Sequence, residues 1–373
     1  MITGIICEYN PLHMGHKKQL DYIRQADPDG AIVCLMSGNF VQRGAPAIVD
    51  KAVRAKAAVL AGADLVLELP VTVSLSSAEG FAAGGVDILG KFCHRLCFGA
   101  ETGDLDLLMQ TAEALNTGDF KSHLRVHLDA GLSFPAARQK ALEEIGLNGD
   151  ILSTPNNILA IEYCKAILAE KSTMEPMIIT RYGDYHDACI DENNPSATAI
   201  RRLMEDNQPW QCYVTAADCF EKAPLHTLKT AEQAILYRLR TMTDDEFEAL
   251  PFGSEGLWRK LMHNARSCVT LEEILTQTKS KRYTRTRLDR MVMCAFLGIT
   301  GEMLNSPAPF VNVLAFNDKG RQVLKIARQT GEFINIGQNL NDPYAVFLKR
   351  CDDLYELFAT ASQRQCRKVY VHK

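Results

Sequence analysis

The chain has 373 residues, of which 47% are hydrophobic and 23% charged, and its formal net charge is −4. This length predicts two domains, and the composition is that of a globular protein, which excludes a disordered or fibrous chain. No uncharged stretch has the length needed to span a bilayer, and the net charge alone does not predict a nucleic-acid partner.

The cysteines and the N-terminal residues indicate the compartment. Twelve cysteines are scattered without a Cys-x-x-Cys pair, and the first residues show no basic segment followed by an apolar run and a cleavage site. Both features are typical of a protein in a reduced compartment. We therefore expect a cytoplasmic protein without a membrane partner.

The first predicted unit is a strand, a tight turn and a helix. An apolar run with β-branched residues over Ile2–Cys7 predicts a buried strand. Pro11 ends the run, because proline has no N–H to donate and biases the preceding residue away from helix. A helical pattern follows over Met14–Ala26. The turn between strand and helix holds His13, Gly15 and His16.

This turn has the composition of a phosphate site. The free N–H groups and the positive dipole end of a helix N-terminus attract phosphate. Gly15 allows the backbone to approach a ligand closely, and two imidazoles can donate hydrogen bonds to phosphoryl oxygens as charge develops on them. The alternative is an ordinary helix start with two exposed histidines.

Alternating strands and helices continue after this unit. Buried strands are predicted at 31–36, 65–69, 95–99 and 177–181, with intervening helices near 50–62 and 77–91. Short apolar strands separated by helices indicate a doubly wound parallel sheet, in which ligands bind outside the carboxyl ends of the strands. The residues predicted at that edge are His13, Ser37, Gly38, Glu68, Gly99 and Arg181.

From about residue 203 helical patterns dominate. The predicted helices span 229–240, 243–250, 254–266, 271–278 and 286–298. A strand at 311–316, a turn, a helix and a short strand at 333–336 predict a small α/β unit at the end. We therefore divide the chain into a first domain over 1–205 and a mainly helical second domain over 206–373.

Two further segments carry polar side chains suited to anions. Ser196 or Thr198 caps a predicted helix, and Arg201 follows one turn later, which together make a second anion cradle. Residues 279–290 include six cationic residues with an interleaved tyrosine, a mixture that suits RNA phosphates and base stacking. The alternatives are a capped helix with a surface arginine and a charged loop before a helix.

We assign no metal site from the sequence. His123 and His127 lie four residues apart on a predicted helix, but we find no third ligand or glutamate to accompany them.

The motifs together resemble a known family. His13-Met14-Gly15-His16 and Ser196-x-Thr198-x-Ile200-Arg201 resemble the paired signatures of the nucleotidyltransferase superfamily with the HIGH motif. Longer strings over most of the chain are similar to the tRNA(Met) cytidine acetate ligase family; they lie at 8–16, 37–44, 63–70, 155–160 and 281–288. The chain departs from the family pattern at Leu12, Met14 and Ala100, none of which is a polar group with a chemical role.

The resemblance implies a fold and a reaction. The fold is a Rossmann-like doubly wound sheet that forms an ATP-binding catalytic domain, followed by a mainly helical tRNA-binding domain. In the reaction, acetate attacks the α-phosphorus of ATP to give acetyl-adenylate and pyrophosphate, with Mg²⁺ carried by the ATP. The N4 amine of the wobble cytidine of elongator tRNA(Met) then takes the acetyl group, giving N4-acetylcytidine.

The resemblance also implies roles for individual residues. His13, His16, Lys51 and Arg201 are the expected catalytic groups, and Arg54 is a further candidate for neutralising phosphate charge. The segment expected to wrap ATP consists of Ile6, Cys7, Glu8, Tyr9, Asn10, Pro11, Leu12, His13, Met14, Gly15, His16, Lys17, Lys18 and Gln19. The other residues expected at ATP are Gly99, Asn156, Arg181 and Tyr182. The residues expected at tRNA are Lys279, Lys281, Arg282, Tyr283, Arg285 and Arg287.

Alternatives remain for some residues and for the function. Lys51 and Arg54 could form a solvated helix face, and Asn156 could cap the helix that follows. The function could instead be that of a small-molecule nucleotidyltransferase, which would leave the basic segment 279–290 unexplained. A non-catalytic RNA-binding protein is the third hypothesis, and it would need neither His13 nor His16.

Overall fold

The computed structural model describes residues 1–180, 196–329, 334–337, 342–361 and 368–372. Within these residues an eight-stranded sheet has the spatial order β10-β8-β5-β2-β1-β6-β7, with β9 paired to β8, and β3 and β4 form a separate hairpin. The strands are β1 Ile2–Cys7, β2 Ala31–Ser37, β3 Phe40–Val41, β4 Ala45–Pro46, β5 Leu65–Leu69, β6 Arg95–Ala100, β7 Glu175–Thr180, β8 Val311–Phe316, β9 Ile334–Asn335 and β10 Tyr370–Val371.

Five strands of the first half, β1, β2, β5, β6 and β7, form a parallel sheet, as the sequence predicted. β1 lies at its centre, with β2 and then β5 on one side and β6 and then β7 on the other. The chain therefore changes direction across the sheet between β1 and β6, and the carboxyl ends of these two strands flank a topological switch point. β2 and β5 are buried along their whole length, which explains their continuous apolar runs.

The small α/β unit near the end of the chain does not stand apart. β8 pairs antiparallel with β5, and β9 and β10 pair with β8. This unit thus extends the first sheet, although the sequence assigned it to the second domain. Local periodicity predicts that a strand exists, but it carries no information about which sheet edge that strand joins.

Helices surround the sheet and form the second half. Those of the first half are α1 Met14–Ala26, α2 Lys51–Leu60, α3 Val71–Ser74, α4 Ala78–Gly90, α5 Leu105–Asn116, α6 Gly118–Asp129, α7 Phe134–Glu144, α8 Pro155–Ala169 and α9 Ala197–Glu205. The later ones are α10 Asp218–Glu221, α11 Leu228–Thr241, α12 Asp244–Glu248, α13 Leu257–Ser267, α14 Leu271–Thr278, α15 Arg285–Leu297, α16 Gly301–Asn305, α17 Asp318–Gln329 and α18 Pro343–Tyr355. Among the described residues, none of the helices has both the length and the apolar character to cross a membrane.

Buried side chains form three clusters. Two pack on the sheet, one involving α4, α5 and α8 and the other α1 and α2. The third lies among the helices from α11 to α15, and it also includes Phe40 of the hairpin and Tyr355 of α18. The hairpin that follows β2 therefore reaches from the sheet into the helical half.

Candidate functional site

The turn before α1 holds two histidines in a fixed arrangement. The N-cap residue His13 accepts the N–H of Gly15 on Nδ1 at 3.0 Å, and His16 accepts the N–H of His13 on its own Nδ1 at 3.3 Å. Their rings stack with centroids 3.8 Å apart. Because both Nδ1 atoms are acceptors, the proton of each neutral ring lies on Nε2. The turn thus provides two imidazole N–H donors at a helix N-terminus.

The side chains around these histidines mostly hold the loop in place. Tyr9 and Leu12 are fully buried, and the side-chain oxygen of Asn10 accepts the N–H of Ile48 at 2.8 Å. Gln19 is also buried and donates to the carbonyl of Cys97 at 3.2 Å. In this segment the buried side chains contact protein, so its backbone and the side chains at the turn are the groups that could contact ATP.

The second motif lies against the first. Ser196 caps α9 by accepting the N–H of Ala199, so Ser196 is the cap of the two residues considered. Arg201 donates to the carbonyl of Asn10 at 2.7 Å and to the hydroxyl of Thr198 at 3.0 Å. The structure therefore brings a guanidinium from α9 to the loop that carries His13.

A second helix N-terminus, that of α8, lies beside the end of β6. Asn156 donates its side-chain amide to Glu101 at 2.7 Å, and Glu101 also accepts the N–H of Asn157 at 2.7 Å and the hydroxyl of Thr154 at 2.9 Å. The N-cap of α8 is Thr154, so Asn156 does not cap this helix. Sequence reasoning missed Glu101, whose carboxylate complements the positive end of α8. Arg181 and Tyr182 lie outside the described residues.

Lys51 is enclosed by two carboxylates. Its ammonium lies 2.6 Å from Glu68 and 2.7 Å from Asp352, and the three side chains are 12%, 9% and 16% exposed. Burial lowers the pKa of Lys51, but the two carboxylates more than reverse this and hold its pKa above the ordinary value. Burial raises the pKa of Asp352 to about 6, against the opposing effect of Lys51. Lys51 thus joins α18 to the carboxyl end of β5, and its assignment to phosphate stays a prediction.

Arg54 neither is positioned for a phosphate contact nor lies on a solvated helix face, the two roles that its sequence position suggested. Its side chain is fully buried and donates to the carbonyls of Glu8 at 2.7 Å and Ser37 at 3.0 Å, as well as to those of Val49 and Gly38. Both the phosphate contact and the solvated helix face are therefore wrong for Arg54. It holds together the carboxyl ends of β1 and β2, beside the histidine turn.

The basic segment 279–290 is partly neutralised by acidic residues that sequence reasoning did not connect with it. Arg282 and Tyr283 both donate to Glu255, at 2.9 and 2.7 Å, and Arg285 forms two 2.7 Å bonds with Glu272. Arg287 donates to the carbonyl of Phe252. Lys279 and Lys281 are exposed and line an open cavity of about 580 Å³, together with residues 133 and 135 of the first half.

His123 and His127 do have an acidic companion, contrary to the expectation from sequence. Glu144 of α7 lies 2.7 Å from His123 and 3.1 Å from His127, with a separate oxygen facing each ring. Their spacing within the chain could not show this, because Glu144 comes from the next helix. Among the residues that the structure describes, no group of three or more His, Cys, Asp or Glu side chains is arranged to hold a metal ion.

Comparisons with known proteins show which family the chain is similar to. The family model described as HIGH Nucleotidyl Transferase matches residues 1–368. A protein of Clostridium novyi named tRNA(Met) cytidine acetate ligase is 38% identical over 366 residues, which cover 91% of each chain. A protein of the same name from Clostridium acetobutylicum is 37% identical over 353 residues, covering 88% of each chain.

Two solved structures share the whole fold. The crystal structure of Thermotoga maritima TmcAL without ligand superposes with a TM-score of 0.90 at 27% identity, covering 99% of both chains. The crystal structure of the same protein bound with alpha-thio ATP gives a TM-score of 0.88 with the same coverage.

Proposed function

The chain belongs to the tRNA(Met) cytidine acetate ligase family of HIGH nucleotidyl transferases, and we propose that it uses ATP to acetylate N4 of the wobble cytidine of elongator tRNA(Met). The observation that carries this proposal is that His13 and His16, at the start of α1, lie beside Arg201 of α9, which donates to Asn10 in the loop that joins β1 to α1. Three donor groups at a helix N-terminus form a place for phosphates.

In the first step a carboxylate oxygen of acetate attacks the α-phosphorus of ATP. A C(O)–O–P bond forms, the bond from the α-phosphorus to the bridging oxygen breaks, and pyrophosphate leaves with that electron pair. The Nε2–H groups of His13 and His16 stabilise the phosphoryl oxygens as negative charge develops on them. No covalent enzyme intermediate is needed, because positioning and charge stabilisation lower the barrier.

In the second step the N4 amine of cytidine attacks the acetyl carbonyl carbon. AMP leaves with the electron pair of the broken C–O bond, and the nitrogen loses one proton. The lone pair of this amine is delocalised into the ring, which makes it a poor nucleophile. A good leaving group such as AMP is therefore required on the acyl carbon.

Mg²⁺ would enter with the nucleotide. Divalent magnesium is usually held by substrate phosphates and a small number of carboxylates, and the described part of the chain offers no group of three candidate metal ligands. We assign the ion to the phosphates of ATP.

The tRNA would contact the helical half. Lys279 and Lys281 are exposed beside an open cavity, where cations can neutralise RNA phosphates. Residues 1–205 then form the ATP-binding catalytic part and 206–373 the tRNA-binding part, apart from the strands that extend the first sheet. We place the reaction in the cytoplasm.

The test is exchange of radiolabelled pyrophosphate into ATP with and without acetate, followed by detection of N4-acetylcytidine in digested tRNA(Met). Acetate-dependent exchange together with the modified nucleoside is expected. Exchange that requires a nucleotide monophosphate acceptor would instead identify a small-molecule nucleotidyltransferase. Tight tRNA binding without any exchange would identify a non-catalytic RNA-binding protein.

A further inference from the structure

On one side, the hairpin β3–β4 contacts the loop that joins β1 to α1. The N–H of Gln42 donates to the Glu8 carboxylate at 2.9 Å, and Glu8 belongs to the segment that follows β1. The turn is closed by a bond of 2.9 Å from the N–H of Gly44 to the carbonyl of Val41. The residue at the tip of the hairpin, Arg43, therefore directly follows a residue that is hydrogen-bonded to the proposed ATP site.

The same hairpin packs on its other side against α15. Gly44 has a φ of +78°, and a Cβ at this position would overlap the backbone of Asp289 and Arg290. The guanidinium of Arg290 also donates to the carbonyl of Gln42 at 3.5 Å. Since α15 starts at Arg285, inside the basic segment, the hairpin bridges the proposed ATP site and the proposed tRNA surface.

Arg43 stands at the tip of this bridge with an exposed side chain. The N4 amine must reach an acetyl group on the α-phosphate while the rest of the tRNA lies on the basic segment. The hairpin contacts both regions, so it lies along a path from the basic segment to the proposed ATP site. A guanidinium has five N–H donors, and two of them can bind a base edge in parallel as a planar fork.

We propose that Arg43 binds the O2–N3 edge of the acceptor cytosine, an inference that rests on the proposed function. Both atoms of that edge are acceptors in cytosine, so a guanidinium can bond to both and leave the N4 amine free to attack. Uracil carries a hydrogen on N3 and would face the same guanidinium with a donor. Arg43 thus selects cytosine over uracil and orients the amine.

The test uses Arg43→Lys, which keeps the positive charge but loses the planar fork. Binding is measured to anticodon stem-loops that carry cytidine or uridine at the wobble position. The wild-type protein should prefer the cytidine form by about tenfold or more, the usual gain from a bidentate base contact, and the variant should prefer it less than twofold. Transfer of the acetyl group to the cytidine form should also fall about tenfold relative to pyrophosphate exchange.

Lys281→Ala is the matched comparison, because loss of a phosphate contact weakens both stem-loops equally. A variant Arg43→Lys that keeps the cytidine preference would overturn the inference. So would a parallel loss of exchange and transfer, since Arg43 would then serve the adenylation step, and so would a wild-type protein without any preference. A wild-type protein that prefers cytidine through Arg43 but forms no N4-acetylcytidine would support the base contact and refute the proposed function.

Discussion

His16 accepts the backbone N–H of His13 on Nδ1 at 3.3 Å, which places the proton of its neutral ring on Nε2. His16→Asn can keep this acceptor, because the asparagine oxygen occupies a position close to that of Nδ1, but it removes the donor. We expect the variant to lose about 3–4 kcal/mol of transition-state stabilisation, measured as slower pyrophosphate exchange. The melting temperature should change little. His16→Gln, which restores an N–H near Nε2, should retain more exchange. Equal exchange in wild type and His16→Asn would contradict the role of this imidazole.

Lys51→Met tests whether the buried ammonium holds the protein together. Its removal leaves Glu68 and Asp352 buried without their cation, and breaking such a buried pair costs about 3–5 kcal/mol. Urea denaturation should show this loss. Lys56→Met provides the comparison, since Lys56 is exposed on the same helix, and it should change stability little. A Lys51→Met protein of full stability that had lost only exchange would assign Lys51 to phosphate instead.

Asp352 predicts a particular pH dependence of stability. Its pKa is raised from 3.8 to about 6 in the folded protein, so the folded chain takes up a proton between pH 6 and 4 that the unfolded chain does not. Protonation of Asp352 therefore increases the free energy of unfolding as the pH falls below about 6, and this contribution is absent at higher pH. The free energy of unfolding of wild type minus that of Asp352→Asn should rise as the pH is lowered from about 6 to about 4. A pH-independent difference would contradict the raised pKa.

Gly44→Ala should disturb the seating of the hairpin on α15. An alanine at positive φ costs about 1–2 kcal/mol, and the added Cβ would also overlap the helix backbone. Gly131→Ala separates the two effects, because Gly131 has a φ of +87° and nothing within 4 Å of an added Cβ. Gly44→Ala should therefore be the more destabilising of the two in urea denaturation. Equal losses would mean that α15 can move aside.

Lys279→Ala combined with Lys281→Ala should weaken tRNA binding. Both side chains are exposed beside the cavity, whereas Arg285 is engaged by Glu272. Each lost phosphate contact flattens the dependence of binding on salt by roughly one charge equivalent. Filter binding at several salt concentrations should therefore show a slope smaller by about two. An unchanged slope would place the RNA elsewhere on the protein.

The sheet and the histidine turn could be predicted because their signals are local. The helix expected at Met14–Ala26 has those bounds in the structure, and the parallel strands follow from short apolar runs. The cap bonds of His13 and His16 also involve residues two and three apart. What remained hidden was the partner of each Nδ1, which fixes the proton on Nε2.

Lys51 and Arg54 show where such reasoning stops. Both lie on α2 and have the same charge, yet one meets carboxylates and the other meets carbonyls. Asp352 is 301 residues away from Lys51 in the chain, so no spacing rule connects them. The burial of Arg54 was equally hidden, because its partners are the ends of two strands that become neighbours only in the folded sheet.

The pairing of β5 with β8, which comes late in the chain, affects how the protein is made. Because synthesis runs from the N-terminus, β5 emerges from the ribosome long before β8, Val311–Phe316, has been made. Until β8 arrives, the outer side of β5 presents unpaired N–H and C=O groups, which can pair with a strand of another chain. A fragment that ended near residue 205 would keep this open edge permanently. The first 205 residues are therefore expected to aggregate when expressed alone, although their own five parallel strands are complete.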